Sequence, residues 1–188
     1  LKKGDMVIES SSGNMAIGLA QTCKYFGLKL IVVVDPMVNK QNVKIIQAYG
    51  AEVNYVTEPA NSGGFLQARL DRVQELLASN PQSFWTNQYG NPQNPIAHRQ
   101  TMHEIIKDLG HAPDYLFAAT STCGTLMGCA EYIRKNRLNT KVIAVDAAGS
   151  VIFDAPAGTR KIPGHGAGRK SQFLDRNAIY DVVHVDDE

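Results

Sequence analysis

Three short stretches of this sequence place hydroxyls, amides and glycines where a chain could hold an anion. The first is Ser10-Ser11-Ser12-Gly13-Asn14, which follows the apolar run Met6-Val7-Ile8 and opens into small and aliphatic residues continuing to Phe26. That pattern reads as strand, polar turn and helix. A helix start presents unpaired backbone N–H groups and the positive end of the helix dipole, so a carboxylate or phosphate would be held there. The second is Thr120-Ser121-Thr122-Cys123-Gly124-Thr125, again between an apolar strand and a helix, and in general terms a phosphate cradle. The third, Pro163-Gly164-His165-Gly166-Ala167-Gly168-Arg169, packs three glycines into five residues. Each also admits a plain structural reading, as an N-cap, an ordinary strand-to-helix turn and a surface loop respectively.

The elements that must position these stretches alternate in type. Residues 28–34 are nearly continuously apolar and end at Asp35-Pro36, as a parallel strand buried on both faces does. A helix is expected from Asn39 to Tyr49, stopped by Gly50, and a strand from Ala51 to Val56. After the polar connection Glu58 to Gly64, which includes Gly63, a helix over Phe65–Ser79 puts Leu66, Leu70, Val73 and Leu77 on one face with Arg69 and Arg72 beside it. Phe84 to Tyr89 reads as a strand, and Gly90 to Pro95 as a crossover rather than an element. Beyond it come a helix ending at Gly110, a strand over 114–119, a helix over 126–135, and strands over 141–148 and 181–185, the last stopping at Asp186-Asp187-Glu188. Strand–helix alternation with short connections implies right-handed βαβ units, hence an α/β protein with parallel sheets. Ligands bind such sheets at the carboxyl ends of strands, where Ser10 to Asn14 lies. The boundary between two subdomains is placed at 90/91, so 1–90 carries the first loop and 91–188 the second.

Composition excludes several classes of function. Nineteen basic against eighteen acidic side chains among 188 residues give a net charge of +1, so nothing points to nucleic acid or an anionic membrane surface. There is no run of about 18 apolar residues, and the three cysteines, Cys23, Cys123 and Cys129, are too few and scattered for a disulfide framework or zinc cluster. A cytoplasmic protein without metal is expected.

Ser11-Ser12-Gly13-Asn14 followed by Ala16-Ile17-Gly18-Leu19-Ala20 resembles the substrate loop of the cysteine synthase group of pyridoxal-phosphate enzymes, the β-replacing branch of fold type II. Asn87 to His98 is similar to that family's Asn-Gln-Phe-x-Asn-Pro-x-Asn segment, with Tyr89 where sulfide-using members carry Phe. The stretch Ser121 to Thr125 resembles its Gly-Thr-Gly-Gly-Thr phosphate loop, with Ser121 and Cys123 replacing two glycines, and the loop at Gly164 resembles the Gly-Ile-Gly-Ala-Gly wall. The resemblance implies the tryptophan synthase β-like fold, two open three-layer αβα subdomains, the first smaller and mobile. It further implies that Asn14, Ser121, Thr122, Cys123, Gly124 and Thr125 bind pyridoxal 5'-phosphate. Ser11, Ser12, Gly13, Met15, Arg69, Gln88, Tyr89, Ser121 and Gly164 would line the substrate site, with His165 a wall residue.

Within the family, Val33-Val34-Asp35-Pro36, Glu58-Pro59 with Gly63-Gly64, Asp146 to Phe153 and Val183 to Asp187 look most like the branch that condenses O-phospho-L-serine with L-glutamate on the way to 2,3-diaminopropionate for siderophores. Glutamate must be oriented through two carboxylates, and a guanidinium is a carboxylate's natural bidentate partner, which singles out Arg69. A sulfide- or homocysteine-using synthase is the alternative, with Met15, where those enzymes often have Thr, against it; a non-catalytic α/β module or degenerate partner subunit is an alternative of another class. The family's cofactor-bearing lysine stands in a Ser/Asn-x-Lys-Asp-Arg context that no lysine here shares; Lys40, between Asn39 and Gln41, comes nearest. The sequence is therefore expected to be the middle of a longer enzyme, a homodimer when complete, with no catalytic residue of its own and no activity alone.

Overall fold

The computed structural model describes residues 1–62, 64–162 and 164–186; Gly63, Pro163, Asp187 and Glu188, named in the motifs above, lie outside the described residues. The chain divides into two compact units, Leu1–Asn87 and Gln88–Glu188.

Unit 1 is a parallel sheet in the order β3-β2-β1-β4, built from β1 (Met6–Ser10), β2 (Lys29–Val34), β3 (Glu52–Tyr55) and β4 (Phe84–Trp85). Val7 pairs with Leu30 and Ile8 with Ile31, so side chains of one parity share a face across both strands. On one face Val7, Leu30, Val32 and Val34 pack with α1 (Asn14–Phe26) and α2 (Lys40–Ala48) through Ala16, Ala20, Cys23, Val43 and Ile46. On the other, Ile8, Ile31 and Val33 meet Val73, Leu76 and Leu77 of α3 (Gly64–Ser79). The continuous apolar run of β2 thus has a physical cause: both faces are covered.

Unit 2 has the parallel order β5-β6-β7, from β5 (Tyr115–Ala119), β6 (Lys141–Ala147) and β7 (Asp181–Val185). Ala118, Val142 and Ala144 pack under α5 (Gly124–Lys135), and α4 (Gln93–Leu109) lies along α5 with Met102 fully buried. Three layers are complete in unit 1; in unit 2 the described helices cover one face, and the other carries the exposed Tyr115, Phe117 and Val183.

Two element boundaries differ from the sequence expectation by more than two residues. The strand expected over 84–89 ends at Trp85, because the Thr86 hydroxyl donates to the Glu9 carboxylate and Asn87 takes φ +49°, which interrupts an extended run. The expected crossover 90–95 already contains the start of α4: the Asn91 side chain accepts from the Gln93 N–H at 3.0 Å, and Pro95 sits in the first turn, where a missing N–H has no intrahelical partner to lose.

Candidate functional site

In unit 1, β1 delivers Ser10 and Ser11 buried, Ser12 and Gly13 half-buried, and Asn14 exposed at the first position of α1. Gly13 is the N-cap, extended at φ −122°, and no side chain caps the helix. The first-turn N–H groups are thereby left to a ligand or to water. The Gly13 N–H donates to Ser11 Oγ at 3.4 Å, and Asn42 Nδ2 donates to the Ser12 carbonyl at 3.0 Å, holding the turn from α2.

Arg69 reaches this turn from α3. Its Nη1 donates to Ser12 Oγ at 3.5 Å, and its Nε stands 3.1 Å from Asp35 Oδ2. The Nε–H does not aim at that oxygen, so the pair is held by charge rather than by a linear hydrogen bond. Both side chains are nearly buried, at 11% and 8% exposure, so Arg69 is not a solvated helix flank. Arg72 donates to Asn54 and pairs with Glu75 on the surface.

The floor of the turn is Glu9, a carboxylate that sequence reasoning gave no role. It is fully buried and accepts from the Ser10 N–H at 2.7 Å, from Trp85 Nε1 at 3.3 Å and from the Thr86 hydroxyl. The available signal was a charged residue inside an apolar strand, immediately before a polar turn.

In unit 2 the loop Thr120–Cys123 runs from β5 into α5. Thr120 Oγ1 donates to the fully buried Asp146 at 2.7 Å, and Ser121 Oγ donates to the Gly166 carbonyl at 3.3 Å. Thr122 Oγ1 accepts from the Gly124 N–H and from Asn94 Nδ2, both at 3.4 Å. Asn94 also donates to the Gln88 carbonyl at 2.8 Å, tying the segment of Gln88 and Tyr89 to the cradle. Cys123, the N-cap of α5, takes φ +65°, the left-handed conformation that glycine adopts most readily, and no side chain caps the helix. Gly124 leaves room for Asn94: a Cβ there would stand 2.0 Å from Asn94 Oδ1, so that side chain would have to leave its contacts with Gln88 and Thr122. Thr125 Oγ1 meets His98 Nε2 at 3.2 Å.

Burial raises the Cys123 thiol to about 11, with the nearby Ser171 hydroxyl acting the other way, so it is a neutral packing group here. Burial also lowers the pKa of His98, which favours the neutral ring. His165 Nε2 donates to the Val145 carbonyl at 3.1 Å, and Gly164 is exposed at φ +86°. Met15 is half-buried on α1. An uncapped helix start, hydroxyls at each side and a glycine where a side chain would clash fit a phosphate group. The described residues contain no cluster of metal-ligating side chains, and no helix among them is long and apolar enough to cross a membrane.

The model of the family described as pyridoxal-phosphate dependent enzymes matches residues 1–188. The chain belongs to this family. It is 45% identical over 185 residues to N-(2-amino-2-carboxyethyl)-L-glutamate synthase of Ralstonia nicotianae, a match covering 98% of this chain and 55% of that protein. Among solved structures it resembles a hydrogen sulfide-producing enzyme of Fusobacterium nucleatum, at 31% identity and TM-score 0.89 over 100% of this chain and 62% of that one. It also resembles the O-acetylserine-dependent cystathionine β-synthase of Helicobacter pylori, at 29% identity and TM-score 0.87 over 100% and 60%. The chain spans about half the length of the curated relative it matches. The expected fold type II α/β class and its cofactor, pyridoxal phosphate, agree with these findings.

Proposed function

We propose that the protein carrying this chain is a β-replacement enzyme that condenses O-phospho-L-serine with L-glutamate, giving N-(2-amino-2-carboxyethyl)-L-glutamate and phosphate for 2,3-diaminopropionate and siderophore synthesis. The observation that supports this reading best is the 45% identity to a synthase named for that product, against 25–31% for sulfide- and cysteine-handling or O-ureidoserine enzymes of similar fold. Pyridoxal phosphate, when bound, supplies an electron sink that lets a β-substituent leave.

The chain's own residues bind and orient. In unit 2, Ser121, Thr122, Cys123, Gly124 and Thr125 hold the cofactor phosphate at the start of α5, and Tyr89, Gln88 and Gly164 border substrate. In unit 1, Ser11, Ser12, Gly13 and Met15 hold a substrate α-carboxylate with the N–H groups of α1, and Asn14 supplies an amide for the cofactor. Arg69, fixed by Asp35 beside Ser12, supplies a guanidinium for a carboxylate. The complete protein is proposed to be a cytoplasmic homodimer.

The test is a substrate competition with the complete, cofactor-loaded protein: O-phosphoserine plus glutamate against O-acetylserine plus sulfide. The first pair should win in kcat/KM by at least about tenfold, a margin within reach when buried polar groups read the substrate. The reverse preference would make it a cysteine synthase. The isolated 188-residue chain should turn over neither pair, because it has no lysine in the cofactor-bearing context.

A further inference from the structure

We propose that Arg169 is a specificity-determining residue that binds the anionic group of an amino-acid substrate, a phosphate ester or a side-chain carboxylate, beside Tyr89 and Ser121. This rests on the reading above of the unit 2 loop as part of a substrate and cofactor site.

Arg169 leaves the glycine-rich loop half-buried, with its guanidinium carbon 5.6 Å from the centroid of the Tyr89 ring. Tyr89, Ser121, Thr122, Arg169, Ser171 and Gln172 line one narrow hollow in unit 2. Its volume is about 10 Å³, room for a water molecule and not for a side chain, so an anion would be met at its rim.

The loop that carries Arg169 is tied to the phosphate cradle on both sides. Before it, the Gly166 N–H donates to the Thr120 carbonyl at 2.7 Å and Ser121 Oγ donates to the Gly166 carbonyl at 3.3 Å. After it, Ser171 Oγ donates to the Thr122 carbonyl at 2.6 Å. A guanidinium between two such ties is placed by the backbone of the cradle itself.

Charge decides between this arginine and its neighbour. Lys170 is paired with Asp154, whose pKa is lowered by the hydrogen bond from that lysine. Among the described residues no carboxylate pairs with Arg169. Contact with an aromatic ring leaves the in-plane N–H groups of a guanidinium free to donate, and these match a phosphate or carboxylate two at a time. An unneutralised fork beside two hydroxyls is therefore suited to an anion, whereas a ring contact alone would be served equally by an apolar chain.

The experiment titrates O-phospho-L-serine, glutarate and O-acetyl-L-serine into the complete, cofactor-loaded protein by calorimetry, with Arg169→Met and Arg169→Lys beside the unaltered chain. Arg169→Met keeps the packing on Tyr89 and should weaken phosphoserine or glutarate by roughly 10- to 100-fold, the loss expected for a charge-assisted bidentate contact. Whichever anion moves identifies the group that Arg169 reads. O-acetylserine should change by no more than about twofold, as for a substitution away from its contacts, and Arg169→Lys should recover part of the loss. The proposal is overturned if neither anion binds the unaltered protein, if Arg169→Met leaves both affinities intact, or if O-acetylserine weakens in proportion. Failure of the proposed reaction is read separately, as absence of turnover with phosphoserine and glutamate while anion binding still depends on Arg169.

Discussion

Replacing Arg69 by alanine perturbs two things, and their magnitudes can be separated. The first is stability. Asp35 is 8% exposed at its side chain and has Arg69 as its ion-pair partner, with Oδ1 already engaged by the Met37 N–H at 2.8 Å. Removing the guanidinium strands a nearly buried carboxylate, which costs about 3 kcal/mol, the lower end for breaking a buried pair. In a unit of 87 residues that is a fall in Tm of roughly 12–24 °C. The second is binding. Loss of one charge-assisted contact to a substrate carboxylate is worth about 1.5–3 kcal/mol, or roughly 10- to 150-fold in KM.

Asp35→Asn separates them, because an amide keeps the Met37 contact but carries no charge to strand. In the Arg69→Ala/Asp35→Asn double variant, Tm by differential scanning calorimetry should return most of the way to the parent value, while KM in the complete enzyme should stay raised. A double variant with both restored would refute carboxylate binding by Arg69 and leave it as the partner of Asp35. A single Arg69→Ala variant that melts with the parent would refute the buried-pair argument itself.

Three other outcomes follow from the unit 2 geometry. Gly124→Ala should cost about 2–3 kcal/mol and loosen the cradle, because the new Cβ would stand 2.0 Å from Asn94 Oδ1 and force it off Gln88 and Thr122; pairing it with Asn94→Ala should recover part of the lost Tm. With its pKa raised to about 11, roughly one Cys123 thiol in a thousand is ionised at pH 8. Alkylation by iodoacetamide, mapped by mass spectrometry, should therefore be far slower in the native chain than in denaturant, and equal rates would contradict the assignment. His98 has its pKa lowered in the folded chain, so its contribution to stability is complete above the unfolded value of about 6.5 and lost as pH falls through that value toward the folded one; His98→Gln should flatten this part of the Tm–pH curve.

Much of the scaffold is legible in the sequence because its signals are local. The apolar run over 28–34, ended by Asp35-Pro36, reads as a strand covered on both faces, and the small and aliphatic residues after Gly13 read as a helix; both are found. The end of β4 was not legible, since it is set by a carboxylate 77 residues earlier in the chain, on Glu9. Nor was the start of α4, where Asn91, an ordinary turn residue by type, satisfies the helix's first donors. At the candidate site, the two turns proposed to hold anions were visible as motifs, but their fixings were not. Asp35 gives no sign in sequence of its pairing with Arg69, and Asn94 none of the space it takes from Gly124. Such contacts join residues far apart in the chain, and no periodicity records them.

The two units meet the same physical problem with the same device. A parallel strand that ends in a turn into a helix loses its ladder partners at the turn, and in both units the N-cap residue offers the first N–H groups of the helix no side-chain acceptor. In unit 1 the turn after β1 rests on Glu9, whose carboxylate gathers the Ser10 N–H, the Trp85 indole and the Thr86 hydroxyl. In unit 2 the turn after β5 rests on Asp146, which takes the Thr120 hydroxyl at 2.7 Å and its neighbour's N–H, that of Ala147, at 3.0 Å. Both carboxylates are fully buried, and burying one costs several kcal/mol before any contact is made. An apolar side chain in either place would avoid that desolvation cost and would leave the hydroxyls of Thr86 or Thr120 without that acceptor. In unit 1 the acceptor ties the turn to Trp85 of β4 and to Thr86 after it; in unit 2 it adds a side-chain tie to β6 beside the one that the Thr120 N–H makes to the Val145 carbonyl at 3.0 Å, so the desolvation cost secures the placement of each turn.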